Sequence, residues 1–82
     1  MDNYDVKITV AKIERVKDLE IELEEQGLAE AEALKAAEEL LKNGFYLCNE
    51  YSAPTGTDSD GAEYDAVAFE LIGNVLKVRA AY

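Results

Sequence analysis

Fifteen consecutive residues, Leu28 to Lys42, are Leu, Ala, Glu or Lys and nothing else. All four types are strong helix formers and none is β-branched, so this stretch fixes a helix in the middle of the chain. Leu34, Ala37 and Leu41 share one face, with Ala33 and Leu40 beside them, and that stripe is expected to lie on the core. The early acids Glu30 and Glu32 and the late base Lys42 suit the helix dipole. Asn43-Gly44 supplies a C-terminal stop, since glycine adopts the left-handed conformation without penalty.

The segments on either side read as strands. Val6, Ile8 and Val10 alternate with Lys7, Thr9 and Ala11, with a bulge or strand end expected near Ala11–Lys12. Leu19, Ile21 and Leu23 alternate with Glu20, Glu22 and Glu24, which reads as a second strand forming an antiparallel hairpin with the first. Phe45, Leu47 and Tyr51 suggest a third strand. Val67, Phe69 and Leu71 mark a fourth, and Leu76, Val78 and Ala80 a fifth, joined to the fourth through the hairpin signal Gly73-Asn74. Residues 52–62 hold the only proline and two of the five glycines, a composition expected of a mobile loop. The expectation is one α+β domain over residues 1–82, in the order β-β-α-β-β-β, with about five antiparallel strands and one helix on one face. The other sheet face is then partly exposed or covered by a second copy of the chain.

Charge excludes several function classes. Eighteen acids against eight bases and no histidine give a net charge of −10 on 82 residues. Direct binding to nucleic acid needs cations to neutralise phosphates, and anionic membrane surfaces make the same demand. Neither is expected of this chain. No apolar run approaches the ~18 residues of a membrane span. The segment Met1–Asp5 has neither a basic nor an apolar region of the kind a signal peptide carries, so a cytoplasmic location is expected. Cys48 is the only cysteine, which excludes an internal disulfide and leaves no pair for a metal or redox motif.

The charge is also unevenly placed. Residues 18–39 contain nine acids and one base, whereas the rest of the chain holds nine acids and seven bases. In a strand, Asp18, Glu20, Glu22 and Glu24 project from one face and advance ~6.6 Å per two residues, a pitch resembling a nucleic-acid backbone. Glu25, Glu32 and Glu39 lie seven apart along the helix, with Glu30 and Glu38 beside them. Two readings fit these acids. They can form a solvated face, partly paired with Lys7, Lys12 and Arg15 across the hairpin. They can equally form a binding face for a basic partner, with the helix row the better candidate because it has fewer cations nearby.

The remaining chemistry is sparse. Asp58, Asp60, Gly61 and Glu63 have an outline of a calcium loop but lack the further oxygen ligands and the distant bidentate glutamate, so neither metal nor cofactor is expected. Cys48 has no histidine to activate it and reads as a buried apolar side chain. With no histidine and no phosphate loop, no enzymatic activity is expected. Tyr51 and Tyr64 flank the 52–62 segment and are the aromatic candidates for an interface.

The Lys7-Ile-Thr-Val10 strand, the Glu/Ala-rich helix ending in Asn43-Gly44 and a sheet running to the C-terminus together resemble, in general build, small acidic proteins of phages and mobile elements, among them anti-CRISPR inhibitors. That resemblance implies a non-enzymatic inhibitor that occupies a basic nucleic-acid-binding channel of a target protein. Glu20, Glu22, Glu24, Glu25, Glu30, Glu32, Glu38 and Glu39 are the residues expected to supply the field, and Tyr51 and Tyr64 the short-range fit. The alternative is a structural or assembly module that forms a homodimer through its sheet, its charge serving solubility.

Overall fold

A computed structural model describes residues 5–49, 51 and 53–82. Its elements run β1 (Asp5–Lys12), α1 (Val16–Glu25), α2 (Glu30–Asn43), β2 (Phe45–Leu47), β3 (Thr55–Thr57), β4 (Glu63–Ile72) and β5 (Val75–Ala81). All strand pairings are antiparallel, in the order β1-β5-β4-β2, and β3 pairs with the same edge of β4 further along. The fold is α+β, as the sequence indicates.

The segment expected to be a second strand is instead helix α1, so two helices cover the sheet, no hairpin follows β1, and β1 pairs with β5. The physical reason lies in the spacing. Leu19 and Leu23 are four residues apart, hence neighbours on a helix, and both are fully buried. Ile21, which a strand would bury with them, is 43% exposed. The helix ends in a Schellman motif. Leu28 N–H donates to the Leu23 carbonyl at 3.2 Å and Gly27 N–H to the Glu24 carbonyl at 2.9 Å. Gly27 has φ +114°, and a Cβ there would lie 2.9 Å from Pro54 Cβ, so this turn requires glycine twice over.

Helix α2 ends where expected but starts at Glu30, because Leu28 closes the turn after α1, and its buried face is rotated. Ala33, Ala36, Ala37 and Leu40 face the core, whereas Leu34 and Leu41 are 47% and 51% exposed. Alanines on the inner face let the helix backbone sit close to the sheet. Gly44 closes the helix at φ +78°, its N–H donating to the Leu40 carbonyl at 2.8 Å. The core lies between this helical layer and one sheet face, with Phe69, Leu76 and Val78 fully buried against Leu19, Leu23 and Leu40.

The helix-covered face takes Tyr64, Ala66, Phe69 and Leu71 from β4, and a register shift between Ala66 and Ala68 skips Val67. A second shift, between Thr9 and Ala11, keeps Ile8 and Ala11 of β1 on that face. In the 52–62 segment, expected as a mobile loop, Thr55–Thr57 forms β3 and Pro54 is buried; Ser52 lies outside the described residues. Gly56 lies under the Tyr64 ring, whose hydroxyl would be 2.5 Å from any Cβ built there.

A helical α1 and a strand at the same residues make different predictions for truncation. Leu23→Ala should cost about 3 kcal/mol of unfolding free energy. Ile21→Ala should cost under about 1 kcal/mol. Urea denaturation of the two variants separates the cases, since equal losses would indicate a strand-like alternation.

Candidate functional site

The helical layer is where the candidate acids come together. Residues 16–43 contain nine acids against Lys17, Lys35 and Lys42. Because α1 is a helix, Asp18, Glu20, Glu22 and Glu24 do not share a face, and the expected row of regular pitch does not form. With 3.6 residues per turn, Asp18, Glu22 and Glu25 instead line one flank and Glu20 and Glu24 the other. The crowding on the first flank has an electrostatic consequence. The Glu22 pKa is raised, first by partial burial and then by the like charges of Glu25 and Asp18.

The expected Glu25–Glu32–Glu39 row is also broken, because Glu25 ends α1 while Glu32 and Glu39 belong to α2. These two have local partners. The Tyr46 hydroxyl donates to Glu32 Oε2 at 2.8 Å, and Asn43 Nδ2 donates to Glu39 Oε1 at 2.9 Å. On the outward side of α2, Glu38 stands one turn from both Lys35 and Lys42. Of the two helices, α1 is therefore the more negative, with five acids and one base against four and two. That reverses the expectation that the later helix carries the better candidate row.

The bases expected to neutralise the acids of residues 20–24 are divided. Lys7 Nζ pairs with Glu70 Oε1 at 3.0 Å on the opposite face of the sheet. Lys12 pairs with Val75 at the end of β1 and borders a hollow with Arg15, Asp18 and Glu22. Among the described residues Arg15 pairs with Asp18, at 3.2 Å, where the acid sits in the first turn of α1. Exposed pairs of this kind contribute little energy, and the other four acids of α1 stand against Lys17 alone within that helix.

Sequence reasoning missed a further component of this surface. Val16, Ile21, Leu34 and Leu41 are exposed on the helices by 55%, 43%, 47% and 51%. Leu34 and Leu41 lie two turns apart on one stripe, beside Glu30 and Glu38. The signal available in the sequence was the run Ala33, Ala36, Ala37 and Leu40, which offers a small-residue alternative to the leucine face.

The aromatic candidates separate. Tyr51 is 91% exposed, whereas Tyr64 is 7% exposed and belongs to the core. Tyr64 packs edge-on against Tyr82, with ring centroids 6.0 Å apart. The Tyr82 hydroxyl donates to Asp58 Oδ2 at 2.7 Å, and Asp58 Oδ1 accepts from the backbone N–H groups of Asp60 and Ala62. Asp58 is thereby occupied as the lock of a turn. Its pKa is lowered, chiefly by the Tyr82 hydrogen bond, and that of Tyr82 is pushed up to about 12. Among the described residues no group of three or more His, Cys, Asp or Glu side chains is placed to hold a metal ion.

Cys48 is buried at the end of β2, and burial followed by the Glu32 charge pushes its thiol up to about 12. Tyr46 is likewise raised to about 12, first by desolvation and then by its bond to Glu32. Among the described residues no helix is long and apolar enough to cross a membrane. No family model, curated protein or solved structure matches the chain.

Two measurements test this chemistry. Only the thiolate is nucleophilic, so Cys48 should resist alkylation in the native protein at neutral pH and react once denaturant is added; fast native labelling would contradict its burial. Asp58 has a depressed folded-state pKa, so its contribution is full above the ordinary aspartate range and is lost as pH falls through the depressed value. Tyr82→Phe should therefore lower Tm at neutral pH, with the gap closing under strongly acid conditions. A gap constant down to about pH 2 would show that the lost hydroxyl does not act through the Asp58 carboxylate.

Proposed function

We propose that this chain is a non-enzymatic binding protein whose helical layer docks on a basic, nucleic-acid-binding surface of a target protein and competes there with nucleic acid. The observation that carries this reading is the exposure of Leu34 and Leu41 on a layer with nine acids and three bases. A surface shaped only for solubility gains nothing from leucines held half in water. A docking surface does, because apolar anchors supply short-range affinity while the surrounding field steers encounter.

The competition is electrostatic and does not require carboxylates at the pitch of a phosphate backbone. Glu20, Glu22, Glu24, Glu25, Glu30 and Glu38 provide the field, with α1 dominant. Glu32 and Glu39 are spent in part on Tyr46 and Asn43, so their contribution is smaller. Tyr51 extends from the β2–β3 connection and is available for contact. Inhibition of an anti-CRISPR kind is one form such docking takes, and a cytoplasmic setting would follow from it.

The test uses the partner captured from cells that encode the chain. Excess duplex or single-stranded oligonucleotide should displace that partner, and capture should weaken as salt rises. Leu34→Ala with Leu41→Ala should reduce affinity about tenfold or more while circular dichroism stays unchanged. Capture that persists against excess nucleic acid would overturn the proposal.

A further inference from the structure

The sheet has a second face that no helix covers. Pairing register assigns it Lys7, Thr9 and Lys12 from β1, and Val75, Lys77, Arg79 and Ala81 from β5. From β4 it takes Glu63, Asp65, Ala68, Glu70 and Ile72, and from β2 Phe45 and Leu47. Three of its large apolar side chains are held in water, with Phe45 38%, Leu47 64% and Ile72 52% exposed. Phe45 pairs with Glu70, and Ile72 is the next residue of β4 on the same face, so the two side chains are diagonal neighbours. Ala68, by contrast, is fully buried on this face between its partners Leu47 and Arg79.

This face also differs from the rest of the molecule in charge. Half of the chain's eight bases fall on it, namely Lys7, Lys12, Lys77 and Arg79, against Glu63, Asp65 and Glu70 among the described side chains. It is close to neutral in a chain of net charge −10. Two copies of so negative a chain repel wherever their acidic surfaces meet, and this face is where they can approach without that cost.

From these features we infer that the uncovered sheet face is the contact of a two-fold homodimer, leaving both acidic helical layers pointing outward. Its charges are interleaved along the strands. Lys12, Lys77 and Glu70 lie toward the β4–β5 hairpin, while Lys7, Arg79, Glu63 and Asp65 lie toward the other end. A two-fold axis lying in the face and crossing the strands sets the hairpin half of one copy over the far half of the other, so that both signs of charge meet across the contact. An isologous contact also requires a self-complementary shape. A hollow of about 670 Å³ opens beside β4 between β2 and β3, lined by Leu47, Asp65 and Ala81 of this face and by Cys48 and Ala66 of the core. Leu47 borders it with 64% of its surface exposed, so each copy offers an apolar side chain beside a recess. The helical layer also exposes leucines, but pairing two such layers would set nine acids against nine.

Sedimentation equilibrium from about 1 μM to about 1 mM decides the matter. A species of twice the 9.0 kDa chain mass should appear within this range. Leu47→Asp should raise its dissociation constant about tenfold or more with the circular dichroism spectrum unchanged. Should that variant fail to fold, Ile72→Lys serves in its place. The inference is overturned by a 9.0 kDa mass at the highest concentration, by a dimer indifferent to the folded variants, or by one lost only when Leu34 and Leu41 are changed. It stands apart from the proposed target binding, since it uses the opposite face and needs no partner.

Discussion

The structure depends on how closely α2 can approach the sheet. Ala33, Ala36 and Ala37 place no bulk between the helix backbone and β4, and Leu40 fills what remains. That thin contact leaves room in the same layer for α1, whose Leu19 and Leu23 are fully buried in the same core. An 82-residue chain has little apolar surface to spare. Two short helices on one sheet face use most of it, and the other face is left without a covering layer.

That economy divides the molecule by charge. A helix packed through one stripe must present its other sides to water, and in both helices those positions are rich in glutamate. The strands alternate, so the residues opposite the core form a separate surface, and there lysine and arginine are interleaved with acids and apolar side chains. The acidic character is therefore concentrated in one layer, which carries −6 of the net charge of −10. The same arrangement leaves leucines at the surface on both sides, for which the helical layer and the sheet face offer different uses.

Local locks hold the connections that make this division possible. Gly27 turns the chain from α1 toward α2 under Pro54, and Gly56 admits the Tyr64 ring. Asp58 fastens the turn before β4 and joins it to Tyr82 at the C-terminal end of β5. These contacts tie the irregular residues 53–62 to the sheet. They also engage both oxygens of Asp58, whose surroundings have only the outline of a calcium loop: Oδ1 accepts from the turn and Oδ2 from Tyr82.

What the sequence determined by itself was whatever depends on neighbours along the chain. The run Leu28–Lys42, the stop at Gly44, the hairpin at Gly73-Asn74, the strands of β1, β4 and β5, the α+β class and the concentration of acid between residues 18 and 39 are all legible in this way. Tertiary structure decided the rest. The alternation Leu19-Glu-Ile-Glu-Leu23 satisfies a period of two and also the four-residue spacing of a helix, and only packing against α2 and the sheet selects the helix. The face of α2 was ambiguous for the same reason, because both its leucine stripe and its alanine stripe are apolar. The sheet spacing favours the smaller side chains, and that choice moved Leu34 and Leu41 from the core to the acidic surface.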